Sequence, residues 1–297
     1  MKKLLVFIIV LFLTTLLLTP FTTANSNRDK PLQATDVELV KKITVQGKPQ
    51  GGKPSKGSAT GILGTECSGD KYAIVIGISD YPGTANDLQY ADDDADSVDY
   101  ALRTLYGYLP TNIYLLKNMD ATFDNILAAI NNVKSKAKVN DEVFFFFSGH
   151  GAKGTADDGD SEKIDESIVS HDASKLIFIW DGQLKTWFKD FNTSRIIFVF
   201  DSCLAGGMTD LASVGRVINM ACSENGVSYE SAQWGGGHGQ FTYYFIDEGM
   251  LKGYAEKPDD TPSILDVTVE EAFDYALANC TMQKPVISDQ FTNDLLP

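Results

Sequence analysis

Two residues of this chain are placed to do chemistry together: His150, in Ser148-Gly149-His150-Gly151, and Cys203, in Asp201-Ser202-Cys203. An imidazole can take the proton of a thiol, and the resulting thiolate is a strong nucleophile, so the pair has the composition of a nucleophilic catalyst. The activation required is modest, because an unperturbed cysteine titrates near ~8.5. Cysteine is also a common small core residue. Against that use stand the polar Asp201-Ser202 before Cys203 and the flexible Leu204-Ala205-Gly206-Gly207 after it. The glycines around His150 free the backbone to turn and let its amides approach a bound carbonyl. Of the other histidines, His171 follows an acidic loop and His238 lies in a run of glycines; both are read as structural or peripheral.

Each of the two residues follows an apolar run, 143–147 before His150 and 196–200 before Cys203. Runs that are apolar at every position must be buried on both faces, which predicts a largely parallel sheet covered by helices, an α/β fold. The surrounding pattern agrees. Strands are expected at 72–78, 112–116, 217–221 and 285–288, and helices at 91–106, 123–136, 182–191, 240–251 and 269–278, with a polar loop over 152–172. In open sheets of this kind ligands bind outside the carboxyl ends of the strands, where His150 and Cys203 fall.

Outside this region the chain changes character. Lys2 and Lys3 precede an apolar run over 4–18, with small residues at 22–24, which is the pattern of an export signal. Residues 25–71 hold eight Lys+Arg against five Asp+Glu, whereas 72–297 hold 15 against 35. The folded part is thus strongly acidic, a field that repels nucleic acid and attracts cations. Within the basic stretch, 47–61 is rich in Gly, Pro, Lys and Ser and is expected to be a flexible linker, while 34–45 is amphipathic enough for a helix or a strand. With Cys203 kept free, Cys67 and Cys280 are candidates for a disulfide in an exported chain.

The ordered set KYAIVIGI, LQYADDDA, SGHG, DDGDSEKIDESI, FDSC and QKPVISD, spread over 71–289, resembles the caspase-like cysteine peptidases, and among them the metacaspases and their prokaryotic relatives. The resemblance implies a caspase-like α/β/α sandwich whose central, largely parallel sheet has about six strands. With the composition read above, the chain divides into a signal peptide at 1–24, a flexible basic leader at 25–70 and, matching the resemblance, a peptidase domain at 71–297. Cys203 would attack the scissile carbonyl, His150 would protonate the leaving amine, and the backbone N–H groups of Gly151 and Cys203 would hold the oxyanion. Asp94 and Asp201 would bind a basic P1 side chain, giving cleavage after Arg or Lys, and Cys222 would line the cleft. Trp234 is a candidate substrate contact or a loop anchor. Calcium would bind Asp165, Asp181 and Asp210, although the second carboxylate expected beside Asp181 is missing, Gly182 standing there. Self-processing at Lys41-Lys42, Lys48, Lys53 or Lys56 would follow from the same preference. Protein or peptide substrates, a secreted or cell-envelope monomer free of the membrane after signal cleavage, and no nucleic-acid partner complete the expectation. The alternatives are an Asn-directed peptidase with the same dyad, and an idle scaffold module.

Overall fold

A computed structural model describes residues 27–46, 58–159, 161–257 and 266–297. The expected signal segment 1–24, Lys48, Lys53, Lys56 and Asp160 lie outside them. In chain order the elements are β1 (Ala34–Val40), β2 (Ile43–Thr44), β3 (Lys71–Gly77), α1 (Ala91–Thr104), β4 (Ile113–Lys117) and α2 (Phe123–Lys136). They continue with β5 (Glu142–Ser148), β6 (Gly151–Ala156), β7 (Asp165–His171), β8 (Leu176–Trp180), α3 (Asp181–Lys189) and β9 (Ile196–Asp201). The last group is β10 (Arg216–Met220), β11 (Tyr229–Ser231), β12 (His238–Gly239), α4 (Gln240–Thr242) running into a π-helix over Tyr243–Leu251, α5 (Val269–Asn279) and β13 (Val286–Asp289).

The central sheet has the order β13-β10-β9-β5-β3-β4. Every pairing is parallel except that of β13 with β10. All residues of β5 and β9 are buried, as their unbroken apolar runs require. Alternate side chains feed two cores. Phe145, Phe147, Phe198 and Phe200 pack with α2 and α3 on one face, and Phe144, Phe146 and Val199 pack with α1, α5 and the π-helix on the other. This is the expected α/β/α sandwich.

Helix ends follow local chemistry. In α2 the Thr122 hydroxyl accepts from Asn125 N at 3.2 Å, and Lys134 and Lys136 sit in the last turn, each favourable to the helix dipole or its unpaired amides. In α1 the first turn carries Asp92, Asp93 and Asp94. Of these, Asp94 is fully buried, so the dipole alone does not account for it.

Two segments depart from expectation. Most of the stretch 152–172, expected as a polar loop, is strand: β6 and β7 form an antiparallel side sheet in the order β1-β6-β7-β8. The low apolar content of Gly151–Ala156 hid β6, whose edge is covered by β1 instead of by the main core. The described part of the basic leader is likewise ordered against the domain. β1 pairs with β6, and β2 pairs in parallel with β11 in a small sheet β12-β11-β2.

Candidate active site

Ser148 at the end of β5 and Asp201 at the end of β9 are partners across a parallel pair. His150 and Cys203 therefore leave neighbouring strands two residues beyond the same rung. The imidazole stacks on Tyr81 with ring centroids 4.9 Å apart, and its own backbone N–H donates to the Tyr81 hydroxyl at 3.0 Å. The Nε2 nitrogen lies 2.8 Å from the Asn86 carbonyl, which must be accepting, so Nε2 carries the proton and Nδ1 keeps a lone pair. That lone pair accepts the backbone N–H of Lys42 at 3.1 Å. Burial pushes the imidazole down to about 4; the Asn86 bond opposes this and the charges of Lys41 and Lys42 add to it.

Cys203 is 1% exposed. Its sulfur accepts from Ser228 N at 3.2 Å, and burial pushes the thiol up to about 11, against the Ser228 bond and the nearby Lys42 charge. At neutral pH the base and the thiol are both uncharged, so the proton stays on sulfur. Leu204, immediately after Cys203, holds φ 59°, a left-handed conformation uncommon for a branched residue and one that tends to occur at functional turns. A side chain at Gly151 would collide with the Cys203 carbonyl. Close approach of β6 to the turn at Cys203 is what requires glycine there.

Beside this pair a polar pocket is filled by the leader. The Lys42 side chain is fully buried, with Nζ 3.0 Å from Asp201 Oδ1 and 3.5 Å from Asp94 Oδ2; it also donates to Ser148 Oγ at 2.9 Å. Burial alone would lower the ammonium pKa, but Asp201, Asp94 and Glu230 together raise it. Each carboxylate is held in place. Asp94 Oδ1 accepts from Gly239 N at 2.9 Å and lies 3.1 Å from His238 Nδ1, and its Oδ2 accepts from Ser148 Oγ at 2.6 Å. Asp201 Oδ1 accepts from Ser228 Oγ at 2.6 Å, and Oδ2 accepts from the N–H and hydroxyl of Thr242 at 3.0 and 2.8 Å. Glu230 accepts from the Thr44 hydroxyl at 2.6 Å and from Gln89 N at 3.0 Å.

The expected residues His150, Gly151, Cys203, Asp94 and Asp201 thus converge. Cys222 is buried, and its thiol donates to the Ser202 carbonyl at 3.3 Å. Trp234 is 3% exposed and anchors its loop. Cys67 and Cys280 are not bridged; Cys67 lies against the Asn140 carbonyl and Cys280 against that of Gln240. Sequence reasoning missed Ser148, Ser228, Glu230 and Thr242, whose roles come from long-range pairing; it named Lys42 only as a processing site, and it set His238 aside.

The acidic cluster also differs from expectation. Asp158, Asp165 and Asp181, all buried, bring carboxylate oxygens within 4.8 Å of one another, as do Glu162, Glu166 and Asp181. Asp210 belongs to neither group. It is drawn to the Lys185 ammonium at 3.0 Å. Asp158 takes up the space that a side chain at Gly182 would fill, and it accepts from Gly182 N at 2.8 Å. Asp158, from the loop between β6 and β7, thus stands beside Asp181 where the sequence has Gly182. Close carboxylates of this kind are the hard-oxygen set that suits calcium.

Residues 71–212 match the family described as Metacaspase, peptidase C14 domain. Metacaspase-1 of Schizosaccharomyces pombe is 32% identical over 154 residues, covering 49% of this chain and 36% of that protein. Metacaspase-1 of Candida albicans is 34% identical over 163 residues, covering 50% and 36%. The chain therefore spans little more than a third of the length of these relatives. Its fold is similar to that of a Geobacter sulfurreducens protein of known crystal structure, with a TM-score of 0.55 at 16% identity over 76% of this chain and 95% of that one.

Proposed function

We propose that residues 71–212, which match the metacaspase family, form a peptidase domain of that type, and that this chain is a cysteine endopeptidase that cuts after Lys or Arg. One observation carries the P1 preference: a lysine side chain, that of Lys42, already lies fully buried between Asp94 and Asp201. A buried cation needs paired carboxylates, and a pocket built of them penalises a neutral or acidic side chain. In the proposed reaction His150 Nδ1 takes the Cys203 proton and the thiolate attacks the carbonyl carbon after the P1 residue. The oxyanion is met by the N–H groups of Gly151 and Cys203. The protonated His150 then delivers its proton to the leaving amine, and water hydrolyses the thioester. The Asn86 carbonyl fixes the tautomer this requires, and the stacked Tyr81 ring fixes the plane of the imidazole.

Calcium stimulation belongs to the same proposal, with Asp158, Asp165 and Asp181 as ligands in place of the expected set with Asp210. The cation would neutralise a cluster on β7 and α3 and so stiffen the side sheet that carries Gly151.

The test is turnover of fluorogenic peptides ending in Lys, Arg, Asn or Asp, with and without calcium, by chain freed of its leader by limited proteolysis. Cleavage after Lys and Arg that Cys203→Ala abolishes is the expected outcome. Preferential cleavage after Asn or Asp, or turnover that persists in Cys203→Ala, would overturn it.

A further inference from the structure

Cutting after a residue held in the pocket requires that the next amide nitrogen reach His150, which must protonate it as it leaves. The pocket holds Lys42, so that nitrogen would be Ile43 N. Ile43 N instead donates to the Ser228 carbonyl at 3.0 Å. The nitrogen facing His150 Nδ1 is that of Lys42 itself. Cutting at that bond would make Lys41 the P1 residue, yet Lys41 lies outside the pocket, its ammonium on the Ala85 carbonyl at 2.5 Å. Pocket and base thus select different bonds, one residue apart, and no single bond satisfies both.

Resting on the basic-P1 function proposed above, we infer that the docked leader is a resident inhibitor, and that neither bond of Lys42 is its cleavage site. The block acts at three points. The Lys42 side chain fills the specificity pocket. Its N–H occupies the Nδ1 lone pair that must accept the thiol proton. The chain on either side is tied down, Val40 opposite Gly151 in the β1–β6 pair and Ile43 opposite Tyr229 in the β2–β11 pair. Further bonds hold the strap beyond Lys42: Val45 N donates to the Glu230 carbonyl at 2.9 Å, and the Ser231 hydroxyl donates to the Val45 carbonyl at 2.8 Å. Activation then requires the strap to leave the groove, and any cut that releases it falls at another bond.

The experiment compares the full chain with Lys42→Ala, which empties the pocket, and Ile43→Pro, which removes the bond to Ser228 and leaves Lys42 in place. Two readouts are taken: the rate of Cys203 alkylation by iodoacetamide, and the positions of leader cuts by mass spectrometry during the onset of activity. Alkylation at least ~10-fold faster in both variants, with the Lys41-Lys42 and Lys42-Ile43 bonds of the unsubstituted chain intact when activity first rises, is the expected result. Cutting at either bond before activity appears, or alkylation unchanged in both variants, would overturn the inference. The alkylation readout does not depend on P1 preference. Faster alkylation without turnover of any basic peptide would leave the inhibitor standing and sink the proposed function; turnover of basic peptides with unchanged alkylation would do the reverse.

Discussion

Asp94 divides its two oxygens between different tasks: Oδ2 faces the Lys42 ammonium, while Oδ1 is held by Gly239 N and His238. His238 is further surrounded by Asp247, 3.8 Å from Nε2, and by the stacked Tyr243 ring. Burial opposes its charge, but Asp94, Asp247 and Asp93 prevail and raise its pKa. As pH falls through that raised value His238 becomes a cation resting on Asp94, and it competes there with the P1 cation. KM for a Lys peptide should therefore rise on acidification with kcat less affected, and His238→Asn should flatten the change; an identical profile in the variant would remove this role. The dyad has its own pH signature. With the strap docked, Cys203 titrates at about 11, so alkylation should climb with pH into the alkaline range, and displacement of the strap should bring the midpoint toward the ordinary ~8.5. Of these residues, His150 and Cys203 were legible from the apolar runs that precede them, whereas Asp94 and Asp201 were named only through the family resemblance, their positions alone fitting an ordinary helix-start or strand-end carboxylate. His238 carried no such mark, since a histidine among glycines looks like a mobile turn until β12 is paired with β11.

At the level of elements, the side sheet is where sequence patterning failed, and the failure has a cause. Gly151–Ala156 carries no alternating apolar face, since the leader covers its edge and the Cys203 carbonyl presses on Gly151. The acidic residues nearby are equally dependent on context. Glu166 is 3% exposed; burial and then Glu224, Glu162, Asp165 and Asp210 raise it to about 8. A carboxyl whose folded pKa lies above its unfolded value stabilises the fold below the unfolded value, and that contribution is lost as pH rises through the folded one. Without a divalent cation the protein should lose thermal stability between about 4.5 and about 8. Calcium at neutral pH should restore it, by ~2–4 °C for each kcal/mol of binding free energy. Asp158→Asn should abolish the calcium-induced rise in Tm, while Asp210→Asn, which breaks only the pair with Lys185, should leave it intact. Equal loss in both variants would return Asp210 to the ligand set.

Over the whole molecule, the division between a basic leader and an acidic domain has a structural counterpart. The sequence showed the two charge blocks and the α/β alternation, because net charge and apolar runs are local quantities. It did not show that Lys42 crosses to the carboxyl end of the sheet, since nothing near Lys42 distinguishes it from Lys41. Only the pairing of β1 with β6 and of β2 with β11 selects it. Central to the proposed function is the choice of a basic P1 residue by Asp94 and Asp201 for the His150–Cys203 pair. Its most direct test is kcat/KM for matched Lys and Gln peptides, measured on leader-free protein and on Asp201→Asn. The predicted result is a strong preference for Lys that falls by roughly 10²–10³-fold when one partner of a buried charge pair is removed, with the Gln peptide little changed. An unaltered preference for Lys in Asp201→Asn would contradict it.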